Sequence, residues 1–335
     1  MDPLTKLYQG MAYCDYLSSK ATYTARNPLF ETAAMTASPL LTAMLPIALG
    51  IIMLGLGLSL TLADFARVAK YPKPVVIGLA CQILLLPLVC FLIANGFGLE
   101  SALAVGLMLL AASPGGTTAN LFSHLAHGDV ALNITLTAVN SLIAILTMPL
   151  LVNLSLSWFM ASDQVIPLQF AKVMQVFAIV LLPVALGMMI RRWAPTFAGR
   201  MEKPMKLVAA LFLAFTIVLA LTKDWQTVLE YAPVVGAAAL LFNLLSLGVG
   251  YYLPRLLNIP KRQAIAIGME IGIHNGTLAI ALALSPSLLN NPTMAVPAAI
   301  YSLIMFFTAA GFGWWVSRGH QAEGVSEGRR ETVGD

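Results

Sequence analysis

The sequence predicts an all-α integral membrane protein, and three observations carry that prediction. Only 10% of its 335 residues are charged while 59% are hydrophobic. Apolar runs of membrane-spanning length recur along the chain after Pro39, and two of them are interrupted near the middle by polar, glycine-containing segments. So few charges cannot cover a water-facing surface. Peptide groups in hydrocarbon must be paired within their own segment, which a helix achieves.

The runs define about nine spans, at residues 40–60, 74–95, 101–126, 129–155, 166–190, 205–222, 232–254, 263–285 and 294–316. Each is close to the roughly 20 residues that a helix needs to cross a bilayer. Residues 1–38 form a polar leader without the basic start and apolar centre of a cleavable signal peptide, and Met35 offers an alternative start. Residues 39–317 form one transmembrane domain, and residues 318–335 are expected to be a disordered, polar tail. Cys81 and Cys90 share one apolar run and Cys14 lies in the leader, so no disulfide framework can be read.

An odd number of spans puts the termini on opposite sides. Fourteen of the nineteen Lys and Arg residues, among them Arg67, Lys70, Lys73, Arg191, Arg192, Arg255, Lys261, Arg262 and Arg318, fall on one side of this arrangement. That side is expected to be the cytoplasm. The prediction is a multi-pass protein of a bacterial inner (plasma) membrane, with its N-terminus outside and its C-terminus cytoplasmic. The net charge of +4 reflects these loops, and nucleic acid is not an expected partner.

Chemistry within the membrane is sought among polar residues inside spans, where each is costly unless satisfied. The third span reads Ser113-Pro114-Gly115-Gly116-Thr117-Thr118-Ala119-Asn120. Proline deletes an amide donor there and the paired glycines loosen the backbone. The segment reads either as a packing kink or as a break that exposes carbonyls and helix ends.

The eighth span carries Glu270-Ile271-Gly272-Ile273-His274-Asn275-Gly276-Thr277. Glu270 is the one carboxylate of the chain deep within an apolar run. In a helix Glu270 and His274 share a face, where they can serve a cation or a proton, or His274 can simply neutralise Glu270. Spans three and eight are five apart and so run in opposite directions, as an inverted repeat with two broken, crossing helices would produce. Gln82, and Asn133 with Thr137 on one helical face, add oxygen donors of the kind that a hard cation wants.

At these residues the chain resembles the bile acid:sodium symporter family, of the bacterial type, over roughly residues 43–317. The family pairs a PGGT-x-x-N crossover with a second of the form E-x-G-x-Q/H-N, and the runs Gly50 to Leu60 and Gly128 to Leu132 support the match. The resemblance implies a core of spans 74–155 and 232–316 beside a panel of spans 40–60, 166–190 and 205–222, with the ligands between them. It implies one sodium at Asn120, Asn133, Thr137 and Glu270, and a second at Gln82, Glu270, His274 and the carbonyls of Ile271 and Ile273. Thr117 and Asn275 would face the substrate, with Gly115 and Gly116 leaving room for an anion.

The sequence departs from the family pattern at four positions. Ala119 and Asn133 stand where well-known members carry Ser, His274 where they usually carry Gln, and Met305 where bile-acid-binding relatives can carry His.

The function so implied is sodium-coupled symport of a small organic anion, a carboxylate or sulfonate that is bile-acid-like or pantoate-like, by alternating access. The expected partners are that anion, sodium as the coupling ion and the lipid bilayer, with no other cofactor. The alternative is a proton-coupled transporter using Glu270 and His274. An intramembrane enzyme or a sensor is more remote. One deep carboxylate supplies neither the paired aspartates of an aspartyl protease nor an aspartate-rich metal motif, and no signalling domain is evident.

Overall fold

The computed structural model describes residues 50–51, 53–116, 118–160, 170–201, 204–205, 207–208, 211, 225–285 and 288–331. The leader, most of the span expected at 205–222, and Thr117 therefore lie outside the described residues. Residues 53–59 are helical. The named helices that follow are α1 (Leu62–Ala66), α2 (Pro72–Ala80), α3 (Leu86–Gly96), α4 (Ser101–Ala112), α5 (Thr118–Leu125), α6 (Val130–Phe159) and α7 (Phe170–Trp193). The series continues with α8 (Trp225–Leu256), α9 (Lys261–Gly272), α10 (Gly276–Leu284) and α11 (Val296–Glu331). No strand is formed among the described residues.

Among the described residues, four helical segments are long and apolar enough to cross a membrane: Pro72–Gly96, Val130–Phe159, Ala232–Leu256 and Thr293–Arg318. They coincide, within a few residues, with four of the expected spans. The outer faces show why they suit lipid: Leu84, Leu88 and Leu92 form one exposed stripe, and Leu146, Leu150 and Leu154 another, each spaced four apart along a single helical face. The first of these segments joins α2 to α3 through one π-helical turn, Cys81–Leu85, placed just before Pro87.

The spans expected at 101–126 and 263–285 each divide in two. The helix stops after Ala112 and resumes at Thr118, and it stops after Gly272 and resumes at Gly276. The first halves, α4 and α9, are both twelve residues long. α4 buries every residue from Leu103 to Ala112, and α9 every residue from Ala264 to Gly272. A helix that is covered all round belongs at the centre of a bundle. α9 packs on α2, α5, α6, α8 and α11, while α4 packs on α3, α6, α10 and α11.

At the C-terminal end α11 continues to Glu331.

The crossing of α8 and α9 is set by glycine. A Cβ on Gly250 would lie 2.8 Å from the Gly268 Cα and 2.6 Å from the Ile271 side chain, so the two backbones touch there, as small residues allow in membrane helices. Gly250→Val is expected to destabilise the protein by about 2 kcal/mol through overpacking. A lower thermal midpoint in detergent is the readout, with Gly248→Val, at a position open to its surroundings, as the control.

Candidate functional site at the crossing of two broken helices

The first break follows from Pro114, which has no N–H to return to the carbonyl of Leu110. That carbonyl instead accepts from the Ser113 N–H (2.9 Å) and the Ser113 hydroxyl (2.7 Å). The carbonyl of Ser113 is taken by the Gln82 side chain, whose Nε2 donates at 3.0 Å and also lies 3.4 Å from the carbonyl of Ala111. The π-helical turn holds Gln82 buried against this break.

The second break answers the first. The Asn275 N–H, which in a continuous helix would reach the Ile271 carbonyl, donates to the Pro114 carbonyl at 2.9 Å. The Gly116 N–H donates to the Ile273 carbonyl at 2.7 Å. Gly115 and His274 thus form a single antiparallel bridge where the chains cross. The freed carbonyl of Gly272 accepts from Asn243 Nδ2 at 2.8 Å and from the Tyr301 hydroxyl at 2.9 Å. Asn243 Oδ1 accepts in turn from the Thr308 hydroxyl.

Glu270 stands beside this crossing, 1% exposed. Its Oε2 accepts from the Thr137 hydroxyl at 2.6 Å and from Asn133 Nδ2 at 3.3 Å, and Asn133 Nδ2 also donates to the Ala266 carbonyl at 2.9 Å. Its Oε1 has no hydrogen-bond partner. The ion pair found among the described residues joins Arg67 to Asp64, so no basic side chain neutralises the Glu270 carboxylate. A Cβ on Gly115 would come within 2.7 Å of Glu270 Oε2. The space beside that glycine is therefore filled by the carboxylate. Gly116 similarly faces the His274 carbonyl, 3.2 Å from the position of a Cβ.

Of the other predicted residues, Gln82 meets the first break and His274 the second. Gln82 Oε1, Asn120 Oδ1 and Asn133 Oδ1 are buried and, like Glu270 Oε1, have no hydrogen-bond partner. Both ring nitrogens of His274 are also buried without one. The His274 ring is held by a stacked Tyr301 (centroids 5.4 Å apart) and by the edge-on Phe242 (5.5 Å). Asn275 caps α10, its Oδ1 accepting from the Leu278 N–H at 3.0 Å. The Ile273 carbonyl is engaged by Gly116, whereas the Ile271 carbonyl is released from its ladder by the turn of Asn275 towards Pro114.

Buried polar atoms are nearly always paired, and Glu270 Oε1, Gln82 Oε1, Asn120 Oδ1 and Asn133 Oδ1 are exceptions, as are Ser123, Asn140 and Ser141. Four side-chain oxygens, one of them anionic, are the donor set of a hard monovalent cation. The residues present fit sodium.

The comparisons with known proteins cover the first break. The family model described as the Sodium Bile acid symporter family matches residues 46–231, more than half of the chain. The chain belongs to the sodium bile acid symporter family. It is 29% identical over 264 residues to the "Uncharacterized sodium-dependent transporter YocS" of Bacillus subtilis (strain 168), covering 78% of this chain and 79% of that protein. It is 31% identical over 252 residues to the "Probable sodium/metabolite cotransporter BASS1, chloroplastic" of Oryza sativa subsp. japonica, covering 75% and 60% of the two chains. The rice "Probable sodium/metabolite cotransporter BASS2, chloroplastic" is 27% identical over 280 residues, covering 83% and 65%.

As a member of the sodium bile acid symporter family, the protein is a multi-pass membrane transporter and not an enzyme, with sodium as its coupling ion. Sequence reasoning missed Asn243, Tyr301 and Thr308. Their signal was present, since Asn243 is a lone amide inside an apolar run, but nothing in the spacing shows that it reaches Gly272, 29 residues on. These residues fix the end of α9, on which Glu270 and the Ile271 carbonyl ride. Tyr301→Phe and Asn243→Leu each remove one of the two donors to the Gly272 carbonyl and are each expected to cost about 1 kcal/mol of stability, whereas the double variant strands that carbonyl and is expected to cost about 1–3 kcal/mol more. Thermal midpoints of the purified variants test that order.

Proposed function

We propose that this transporter imports a small organic anion, a carboxylate or sulfonate, together with sodium by alternating access across a bacterial inner membrane. The observation that carries the reading is Glu270 at the crossing, a buried carboxylate whose Oε1 has no hydrogen-bond partner and which forms no ion pair among the described residues. Removing the partner of a buried charge costs several kcal/mol, and a sodium ion supplies that partner.

In this reading one ion is held by Asn120, Asn133, Thr137 and Glu270. The second is held by Gln82, Glu270, His274 and the carbonyls of Ile271 and Ile273. The substrate carboxylate or sulfonate faces Thr117 and Asn275, near Gly116, where the amino ends of α5 and α10 favour negative charge; Gly115, expected to leave room for that anion, instead has its open side filled by the Glu270 carboxylate. The residues of spans 74–155 and 232–316 act as a core related by inverted repeat. Spans 40–60, 166–190 and 205–222 act as the panel, within a domain of residues 39–317 that has its N-terminus outside and its C-terminus in the cytoplasm. A cavity of about 30 Å³ supports this division. It is lined by Met53, Leu56 and Val184 from panel spans and by Pro114, Ile145 and Leu278 from core spans.

Sodium at about 100 times its Kd is expected to stabilise the wild type by about 2.7 kcal/mol. Glu270→Gln should abolish that rise, because it puts an amide in place of the anionic ligand. The measurement is the thermal midpoint across sodium concentrations at fixed ionic strength. In proteoliposomes, an inward sodium gradient is expected to drive accumulation of a labelled organic anion. Accumulation driven by a pH gradient without sodium would overturn the sodium reading in favour of proton coupling through Glu270 and His274.

A further inference from the structure

A second cavity, polar and of about 900 Å³, lies where the turn between α5 and α6, the start of α9 and the Trp314–Arg318 turn of α11 converge. Arg262, Arg318, His124 and His127 line it together with a single acid, Asp129. The backbone holds two of these segments together, for the Asp129 N–H donates to the Arg262 carbonyl at 2.9 Å. Asp129 is already committed as the cap of α6, its Oδ1 accepting from the Leu132 N–H at 3.1 Å. Among the described residues no carboxylate forms an ion pair with Arg262 or Arg318.

Arg318 is set in place before any ligand arrives. Its guanidinium lies 3.4 Å from the centroid of the Trp314 ring, one helical turn earlier on α11. A stacked guanidinium retains its planar fork of donors and loses less freedom on binding. Basic residues at a membrane face ordinarily point singly into water. Here two arginines from different helices line one concavity with two histidines, and its single acid, Asp129, is bonded to the α6 amino end. Two planar forks lining one cavity suit a tetrahedral oxyanion that accepts several hydrogen bonds at once.

We propose that this cavity is a binding site for a phosphate-bearing anion, gripped between Arg262 of α9 and Arg318 of α11. The phosphate can belong to a lipid headgroup, since Trp314 is 59% exposed at the end of a membrane segment where aromatic side chains meet headgroups, or to a soluble phosphomonoester. Neither the sodium ligands nor the anion site at the crossing enters this argument.

The test uses full-length protein and two probes. In lipid-free neutral detergent, inorganic phosphate is titrated against chloride at constant ionic strength and the thermal midpoint recorded. In parallel, native mass spectrometry counts adducts from micelles containing phosphatidylglycerol or phosphatidylcholine. The expected result is a rise with phosphate, retention of phosphatidylglycerol over phosphatidylcholine, or both. A lipid-only response assigns a headgroup, and a phosphate response in detergent assigns a soluble anion. The R262Q/R318Q double variant should bind at least about tenfold more weakly, while K70Q, on the same basic face outside the cavity, should bind as the wild type does. A cooperative thermal melt of the double variant in chloride alone shows that it is folded. No response to either probe, or an equal response from wild type and double variant, overturns the proposal.

Discussion

The structure depends on one constraint: two helices are broken where no water can satisfy the peptide groups that the breaks release. Each break is completed by the other, through Gly116 N–H to Ile273 and Asn275 N–H to Pro114. Gln82, Asn243 and Tyr301 supply the remaining donors from neighbouring helices. Peptide groups left unpaired in hydrocarbon cost several kcal/mol each, so neither break is stable alone. The crossing fixes α4 against α9 and thereby decides where Glu270 lies.

That position gives the two carboxylate oxygens different tasks. Oε2 is tied to Thr137 and Asn133 on α6, while Oε1 is left for a ligand. On the proposed reading, the cation joins α9 to α6 and to the first break by electrostatics, and the anion meets the helix ends that the same breaks create. Both ligands then act on one rigid unit, and two ligands that favour the same arrangement of that unit raise each other's affinity by linkage. Coupling between sodium and substrate needs no contact between them in this arrangement.

Much of this was legible in the sequence, for reasons that can be stated residue by residue. Glu270 is an isolated carboxylate in an apolar run, and Pro114-Gly115-Gly116 cannot sustain a helix, so the centre of the site and the location of both breaks follow from chemistry alone. Asn133 and Thr137 were legible because helical spacing puts them on one face, and both do reach Glu270. Periodicity could not show that Gly115 is required by the Glu270 carboxylate, or that Gly272 is held by Asn243 and Tyr301. Those facts depend on how helices far apart in the chain cross.

The cavity on the basic face and the crossing are joined by the stiffest pieces of the molecule. α9 carries Arg262 at its start and Glu270 eight residues later, a rise of about 12 Å along an uninterrupted helix. α6 begins at its Asp129 cap and presents Asn133 and Thr137 within its first two turns. The Asp129–Arg262 backbone bond ties these two helices at the face, and Glu270 ties them again at the crossing. Two ties on helices without a proline between them leave little freedom for one end to shift alone. A ligand that pulls α9 towards α11 at the face therefore acts on the same bodies that carry the sodium ligands, and the distance between the two sites is no barrier to their influencing one another.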